Sequence, residues 1–466
     1  MLHRGAAVES VIPDMRIILT VHQFLPEYSS GTEVLTLDTA RELRRLGHEV
    51  SIVTGYPART PLNDSERFDE YEYDGFRITR FHHAPVPMGC QNNPTEAEYN
   101  NWLVAGFFRK FLRRVQPDVV HFFHLARLSA AAIDACAELH IPMALTPTDF
   151  WFICPTSQLR LPDNSFCSGP DANGVNCLRH LVELHQPAPT KAMVNSLPDF
   201  ALEMLIAGMR RGWLSNQWFF GQVRALTERP RFLRERLNLI DRVLVPTRLM
   251  GETLVRHGLR ADKIAFLPYG IQLPASTSIA RTKSKVLRLG FIGTLYEHKG
   301  AHILLQAVRS TPGLQDLSVK IWGRQDEFPE YVARLREIAG DDARISFCGT
   351  FPNHDIGEVF ADLDALVVPS LWYENTPLVV YSAQAARCPV IASDTPGLAE
   401  VIHHDINGYL FPAGDFASLA RLLQRVASDP ALLPRLSAAA HKPKTIAEYA
   451  AELDRVYQQL AHERRD

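Results

Sequence analysis

No apolar run in this 466-residue chain approaches the roughly 20 residues that a membrane-spanning helix needs. A basic excess is missing too. Lys and Arg number 49 against 52 Asp and Glu, a net charge of −3, so nothing is in surplus to neutralise a nucleic-acid backbone. Cysteine is sparse: seven residues, an odd number scattered along the chain, which argues against a secreted disulfide framework. The opening residues, MLHRGAAVESVIPD, lack the apolar centre of a secretory signal, so the expectation is a cytoplasmic protein. Met15 directly precedes the first strand-like run and reads as the natural start, with residues 1–14 as a disordered extension. What remains is the composition of a soluble globular protein, long enough for two hydrophobic cores.

The most informative stretch is LDALVVPSLWYENTPLVVYSAQAARCPVI, Leu363 to Ile391. Asp364 to Val368 is a short β-branched run of the kind buried in a parallel sheet, and Pro369-Ser370 stops it. Thr376 has the oxygen of an N-cap and Pro377 suits the first helical position, so a helix should open there. A helix opening at the carboxyl end of a parallel strand points unpaired N–H groups and its positive dipole end into the crevice, a place for phosphate. Glu374 would stand beside it as an acceptor for hydroxyls, with Ser382 facing roughly the same way. Phosphate and hydroxyls together fit a nucleotide sugar.

The segments Glu374-Asn375-Thr376-Pro377-Leu378, Ala385 to Ser393 and Asn407 to Phe411 resemble the donor-binding half of the retaining GT-B glycosyltransferases of family 4. The resemblance implies two doubly wound Rossmann-like domains facing across a cleft. That family carries a pair of glutamates: Glu374 matches the first, which contacts the sugar, and Ser382 stands at the second, which holds the ribose. The strand Leu287 to Thr294 runs into a glycine turn at Gly293, followed by Lys299-Gly300 and a helix. Glycine permits close approach of a pyrophosphate, and Lys299 supplies charge to it. The family usually has arginine where this chain has Thr294. Gly323-Arg324 and Gly349-Thr350-Phe351 end two further strands and should border base and ribose.

In the first half, Arg16 to Val21, a helix Thr32 to Leu46 and His48 to Thr54 make a βαβ opening. Gly31 matches the family's acceptor-side glycine. Further strands are expected at Phe76 to Phe81, Asp118 to Phe123 and Pro142 to Thr146, with a helix Tyr99 to Val115. His121 and His124 close the second of these at the crevice, where core packing is as good an account as a site role. Where relatives commonly have His-Asp, the histidine touching the donor sugar, this chain has Thr148-Asp149.

Cys154, Cys167 and Cys177, with His180 in C-x-x-H spacing, read either as buried free thiols or as a structural zinc site stapling the loop. From about 181 to 240 a helical insertion interleaves Trp213, Trp218, Phe219 and Phe220 with arginines. That composition suits an anionic membrane surface and a lipid-linked acceptor, or aromatics packed on the first domain with arginines in solvent. The N-terminal domain is placed at 15–272, a polar linker at 273–286, the donor domain at 287–440, and a helix crossing back at 441–466 with Tyr449, Leu453, Val456, Tyr457 and Leu460 as its buried stripe.

The expected function is transfer of a sugar from a nucleotide diphosphate sugar to an acceptor hydroxyl of a glycan or lipid-linked acceptor, with retention. It needs no cofactor or metal, because Lys299 and a helix end do the metal's electrostatic work. Asp362-Leu363-Asp364 reads as a helix-to-strand turn. The chemistry rests on Asp149, Lys299 and Glu374. Two rivals remain open, a donor-binding pseudoenzyme and a nucleotide-sugar epimerase.

Overall fold

The structure, a computed structural model, describes residues 15–211, 218–273, 282, 284–375 and 377–464. The N-terminal extension, most of the expected linker and the expected N-cap Thr376 lie outside these, as does Trp213. Two sheets organise the chain. The first has the order β3-β4-β2-β1-β5-β6-β7-β8, from β1 (Arg16–Val21), β2 (Glu49–Pro57), β3 (Phe68–Tyr73), β4 (Phe76–His83), β5 (Val119–Phe122), β6 (Met143–Leu145), β7 (Arg242–Val245) and β8 (Ile264–Phe266). The second is ordered β11-β10-β9-β12-β13-β14, from β9 (Leu287–Ile292), β10 (Leu317–Trp322), β11 (Ile345–Gly349), β12 (Ala365–Val368), β13 (Val390–Asp394) and β14 (Gly408–Pro412). Every pairing is parallel except β3 with β4. Parallel strands covered on both faces explain why β12, ALVV, is buried at every position.

Strand order reverses between β1 and β5 in the first sheet and between β9 and β12 in the second. Ligand crevices of doubly wound sheets open at such points, outside the carboxyl ends of the strands. The segments following these four strands carry the chemistry below.

One strand was not foreseen, and two local expectations need correction. Strand β3 is a hairpin partner of β4 across Asp74-Gly75, both at positive φ, the turn chemistry that a two-residue hairpin favours. The expected helix Tyr99 to Val115 is two helices, Pro94–Tyr99 and Trp102–Val115, because Asn93 and Asn101 each cap a new start with a side-chain oxygen. Helix Leu378–Ala385 opens one residue later than predicted, with Pro377 at the N-cap position.

The last helix, Ile446–Glu463, starts with a capping box between Thr445 and Glu448 and lies over the first sheet. Tyr449, Leu453, Tyr457 and Leu460 are buried, and Val456 is partly buried. His121 meets this helix: its Nδ1 pairs with the Tyr457 hydroxyl and its Nε2 with Thr146 Oγ1 at 2.9 Å. It lies within β5 and is fully buried, so the acceptor-side role expected of it gives way to a core role. Burial lowers its pKa from 6.5 to about 3, so the folded state holds the neutral ring. The unfolded chain binds that proton more readily, so the contribution is present above pH 6.5 and fades as pH falls toward 3. Melting temperatures measured from pH 7.5 to 5 should fall more for the wild type than for His121→Gln.

Candidate active site

On the donor side, β9 ends at Ile292 and the amide of the next residue, Gly293, donates to Trp322 O at 3.1 Å, while the Gly323 amide donates to Gly349 O at 2.8 Å. The three strand-end turns are thereby chained into one rim. Thr294 and Phe351 are partly exposed there and Thr350 is exposed. Arg324 reaches the other way, donating to Glu27 O of the first domain at 3.2 Å.

Lys299 follows β9 by one short turn. Gly300 holds the turn at φ +72°, where a Cβ would sit 1.8 Å from Pro369 O, so the Lys299 segment lies directly against the end of β12. Lys299 Nζ donates to Glu374 Oε1 at 2.8 Å and sits 4.9 Å from the Trp372 ring. Ser370 Oγ donates to the same carboxylate oxygen at 2.6 Å. Glu374 is almost fully buried, and its backbone is pressed against Gly397, whose Cβ would fall 1.6 Å from Glu374 O. A cation and a hydroxyl share one carboxylate oxygen, leaving Oε2 for a ligand.

The next residue does something the sequence did not reveal. Asn375 Nδ2 donates to Pro147 O at 2.9 Å and to the Tyr269 hydroxyl at 3.1 Å, while its Oδ1 accepts from Thr247 Oγ1 at 2.8 Å. Its side chain is spent joining the two halves, so only its backbone remains for the donor. Ser382 Oγ donates back to Leu378 O at 3.1 Å, within its own helix.

Across the cleft, helix Gly31–Arg45 begins opposite helix Leu378–Ala385, a Cβ on Gly31 falling 3.9 Å from Leu378 Cδ1. His22 leaves β1 and His124 follows β5, their rings 4.3 Å apart at the switch point. The Ala126 amide donates to His124 Nδ1 at 3.0 Å, so Nε2 carries the proton and donates to Asp149 Oδ2 at 2.8 Å. The Trp151 amide donates to Asp149 Oδ1 at 2.8 Å, and about a fifth of the Asp149 side chain stays exposed to the cleft. Thr148 lies beside it, bonded weakly to Phe123 O at 3.4 Å. Glu33, in the first turn of Gly31–Arg45, is fully buried 3.6 Å from His22 Nε2, and burial raises its carboxyl pKa. Burial, then the charges of His124 and Arg127, keep His22 well below its ordinary range. His22, Glu33 and Arg127 were not foreseen, although the rule that singled out the end of β5 applies equally to the end of β1.

The cysteine expectations divide. Cys154, Cys167, Cys177 and His180 do line one cavity of about 10 Å³, room for about one water. The thiols are free, and among the described residues no group of three or more His, Cys, Asp or Glu is arranged to hold a metal ion. Asp362 and Asp364 are taken up by Arg288, at 3.1 and 3.0 Å. One arginine of the insertion turns inward: Arg229 is buried and donates to Trp151 O at 2.7 Å, while exposed Arg210 donates to Thr227 O at 2.8 Å. Among the described side chains of the insertion, Met193, Phe200 and Met204 are the most exposed apolar ones, while those of Trp213, Trp218 and Phe219 lie outside these.

Two doubly wound domains meeting at paired switch points, with a lysine-bound glutamate at the head of a helix, define the GT-B class. The chain matches Glycosyltransferase Family 4 over residues 29–166 and Glycosyl transferases group 1 over residues 277–443. It belongs to the group 1, family 4 glycosyltransferases. Similar curated proteins include the amylovoran biosynthesis glycosyltransferase AmsK of Erwinia amylovora, 27% identical over 240 residues, 48% of this chain and 56% of that one. The D-inositol 3-phosphate glycosyltransferase of Streptomyces bingchenggensis is 30% identical over 221 residues, 43% of this chain and 48% of that one. The chain thus spans about half the length of these relatives. Among solved structures, HepE of Anabaena in complex with UDP and glucose superposes with TM-score 0.60 at 14% identity, covering 96% of this chain and 100% of that one.

Proposed function

We propose that the protein transfers a sugar from a nucleotide diphosphate sugar to an acceptor hydroxyl with retention, in the building of a polysaccharide or glycolipid. The observation that carries this is the Lys299–Glu374 pair at the β9/β12 switch point. It sets a cation for phosphate beside a carboxylate for sugar hydroxyls, and the amides opening Leu378–Ala385 lie alongside. When the bond between the anomeric carbon and the diphosphate breaks, its electron pair stays on the phosphate oxygen. The acceptor oxygen bonds to the same face of that carbon, and its proton leaves with the diphosphate. Lys299 and the helix amides favour the growing phosphate charge more than the ground state does. Asp149, fixed by His124 and the Trp151 amide, orients hydroxyls at the reacting carbon from the other domain.

A relative named for amylovoran biosynthesis supports a glycan acceptor. The apolar surface of Met193, Phe200 and Met204 supports contact with a membrane, although no helix among the described residues is long and apolar enough to cross one. A donor-binding protein without transfer is the second reading. It is favoured by Ser382 and Asn375, whose side chains are occupied within the protein.

Proton NMR of the product formed from an α-linked UDP-sugar or GDP-sugar and a simple acceptor tests the reaction. An α-linked product is expected. A β-linked product would overturn retention, and donor bound without turnover would favour the second reading.

A further inference from the structure

The donor end of the cleft is poorly supplied with free positive charge. Lys299 is paired to Glu374, and Thr294, on the glycine turn, brings none. Both phosphates of a nucleoside diphosphate are anionic, so one half-neutralised lysine and a short helix leave them under-compensated.

A second cation reaches this place from the other domain. Residues 157–167 form a finger: Arg160 pairs with Phe166 across an antiparallel bridge, the Cys167 amide donates to Leu159 O at 2.8 Å, and the Leu161 amide donates to Ser165 O at 2.8 Å. Its base is anchored by buried Cys154 and Leu159. The finger leans on the donor domain. Gln158 Nε2 lies 3.4 Å from His298 Nδ1, and the Phe166 ring lies 4.3 Å from the Tyr373 ring. Those contacts fall on the residues immediately before Lys299 and Glu374.

Arg160 projects from this finger, partly buried, and its guanidinium faces Tyr296, Glu297 and Tyr331 of the donor domain. Glu297 is already paired with Arg334 at 2.8 Å. Arg160 Nε is buried without a hydrogen-bond partner. An orphaned buried donor on a guanidinium is costly unless a ligand completes it. The Gln158 contact on His298 sets the finger, with Arg160 two residues on, beside the residue that precedes Lys299; burial first, then the charges of Lys299 and Arg160, hold His298 well below its usual range.

We propose that Arg160 is a second phosphate-binding cation of the donor site, supplied across the cleft by the finger and completing the charge that Lys299 alone does not provide. The proposal rests on the donor-site reading. Its consequence is that the diphosphate bridges the two domains, so nucleotide binding and apposition of the domains are one event.

The test is calorimetric titration of the full chain with UDP, GDP and ADP and the corresponding monophosphates, for the wild type, Arg160→Gln and Arg160→Lys. Circular dichroism checks that each variant is folded, and Arg160→Lys keeps the test open where the glutamine variant is not. A cation on the diphosphate predicts diphosphate affinity reduced by about tenfold or more in Arg160→Gln, the scale of one charge-assisted hydrogen bond. Arg160→Lys should recover part of it, and the preference for diphosphate over monophosphate should shrink. A folded Arg160→Gln with unchanged diphosphate affinity overturns the role of Arg160 and leaves the donor site standing. Equal losses for monophosphate and diphosphate mean a structural role and also overturn it. If no nucleoside diphosphate binds the wild type, the donor-site reading and this inference fall together.

Discussion

Glu374→Gln is expected to lower the transfer rate by a factor on the order of 10² to 10³ while binding of the free nucleoside diphosphate is kept or improved. The two halves of this result have one cause. In the wild type Lys299 Nζ is 2.8 Å from Glu374 Oε1, so part of its charge is already compensated. The neutral amide releases that lysine for phosphate and removes a carboxylate that repels it. The amide still accepts from Ser370 Oγ, so the loop is kept while the charged acceptor for sugar hydroxyls is lost. Rates with a sugar nucleotide, set beside calorimetry with the nucleotide alone, measure both effects. Equal loss of nucleotide and sugar-nucleotide binding would mean that Glu374 is a brace for the loop.

Asn375→Ala should destabilise the junction of the two halves. Truncation removes a donor from the Pro147 carbonyl and the Tyr269 hydroxyl, which stay bonded to each other at 3.1 Å, and removes the acceptor of the Thr247 hydroxyl, which still accepts from the Met250 amide at 3.1 Å. One buried donor left without its acceptor costs about 1–3 kcal/mol, and a loss of roughly that size is expected. For a chain of this length the melting temperature should drop by several degrees, and activity should fall with it because Pro147 immediately precedes the Thr148-Asp149 pair. Asn375→Asp should rescue only in part: it can accept from Thr247 but has no N–H for Pro147 or Tyr269. Thermal unfolding followed by circular dichroism decides this. An unchanged midpoint for Asn375→Ala would show that the bridge carries little energy.

Much of this was legible in the chain because parallel β-strands are short apolar runs and their carboxyl ends are marked by Gly, Pro and polar residues. The runs at Leu287 and Asp364 located β9 and β12, and with them the loops holding Lys299 and Glu374. What could not be read were partnerships between residues far apart in sequence. The motif around Glu374-Asn375 looks the same whether Asn375 faces a ligand or the Pro147 carbonyl 228 positions away. His121 and His124 likewise differ by three residues at the end of one strand. One is sealed under Tyr457 and the other is turned to Asp149, because β5 ends between them at Phe122. The cysteines came together around one cavity despite their wide spacing, yet among the described residues they do not form a metal's coordination set. The finger that carries Arg160 has no motif of its own, and its meaning comes only from the domain it touches.

The donor site at the β9/β12 switch point is tested most directly by one measurement. UDP, GDP, ADP and their sugar forms would be titrated calorimetrically into the wild type and Glu374→Gln. The predicted result is that one nucleoside diphosphate binds both proteins, with its sugar adding affinity only in the wild type. Failure of every nucleotide to bind the folded wild type, or a sugar contribution that survives unchanged in Glu374→Gln, would contradict it.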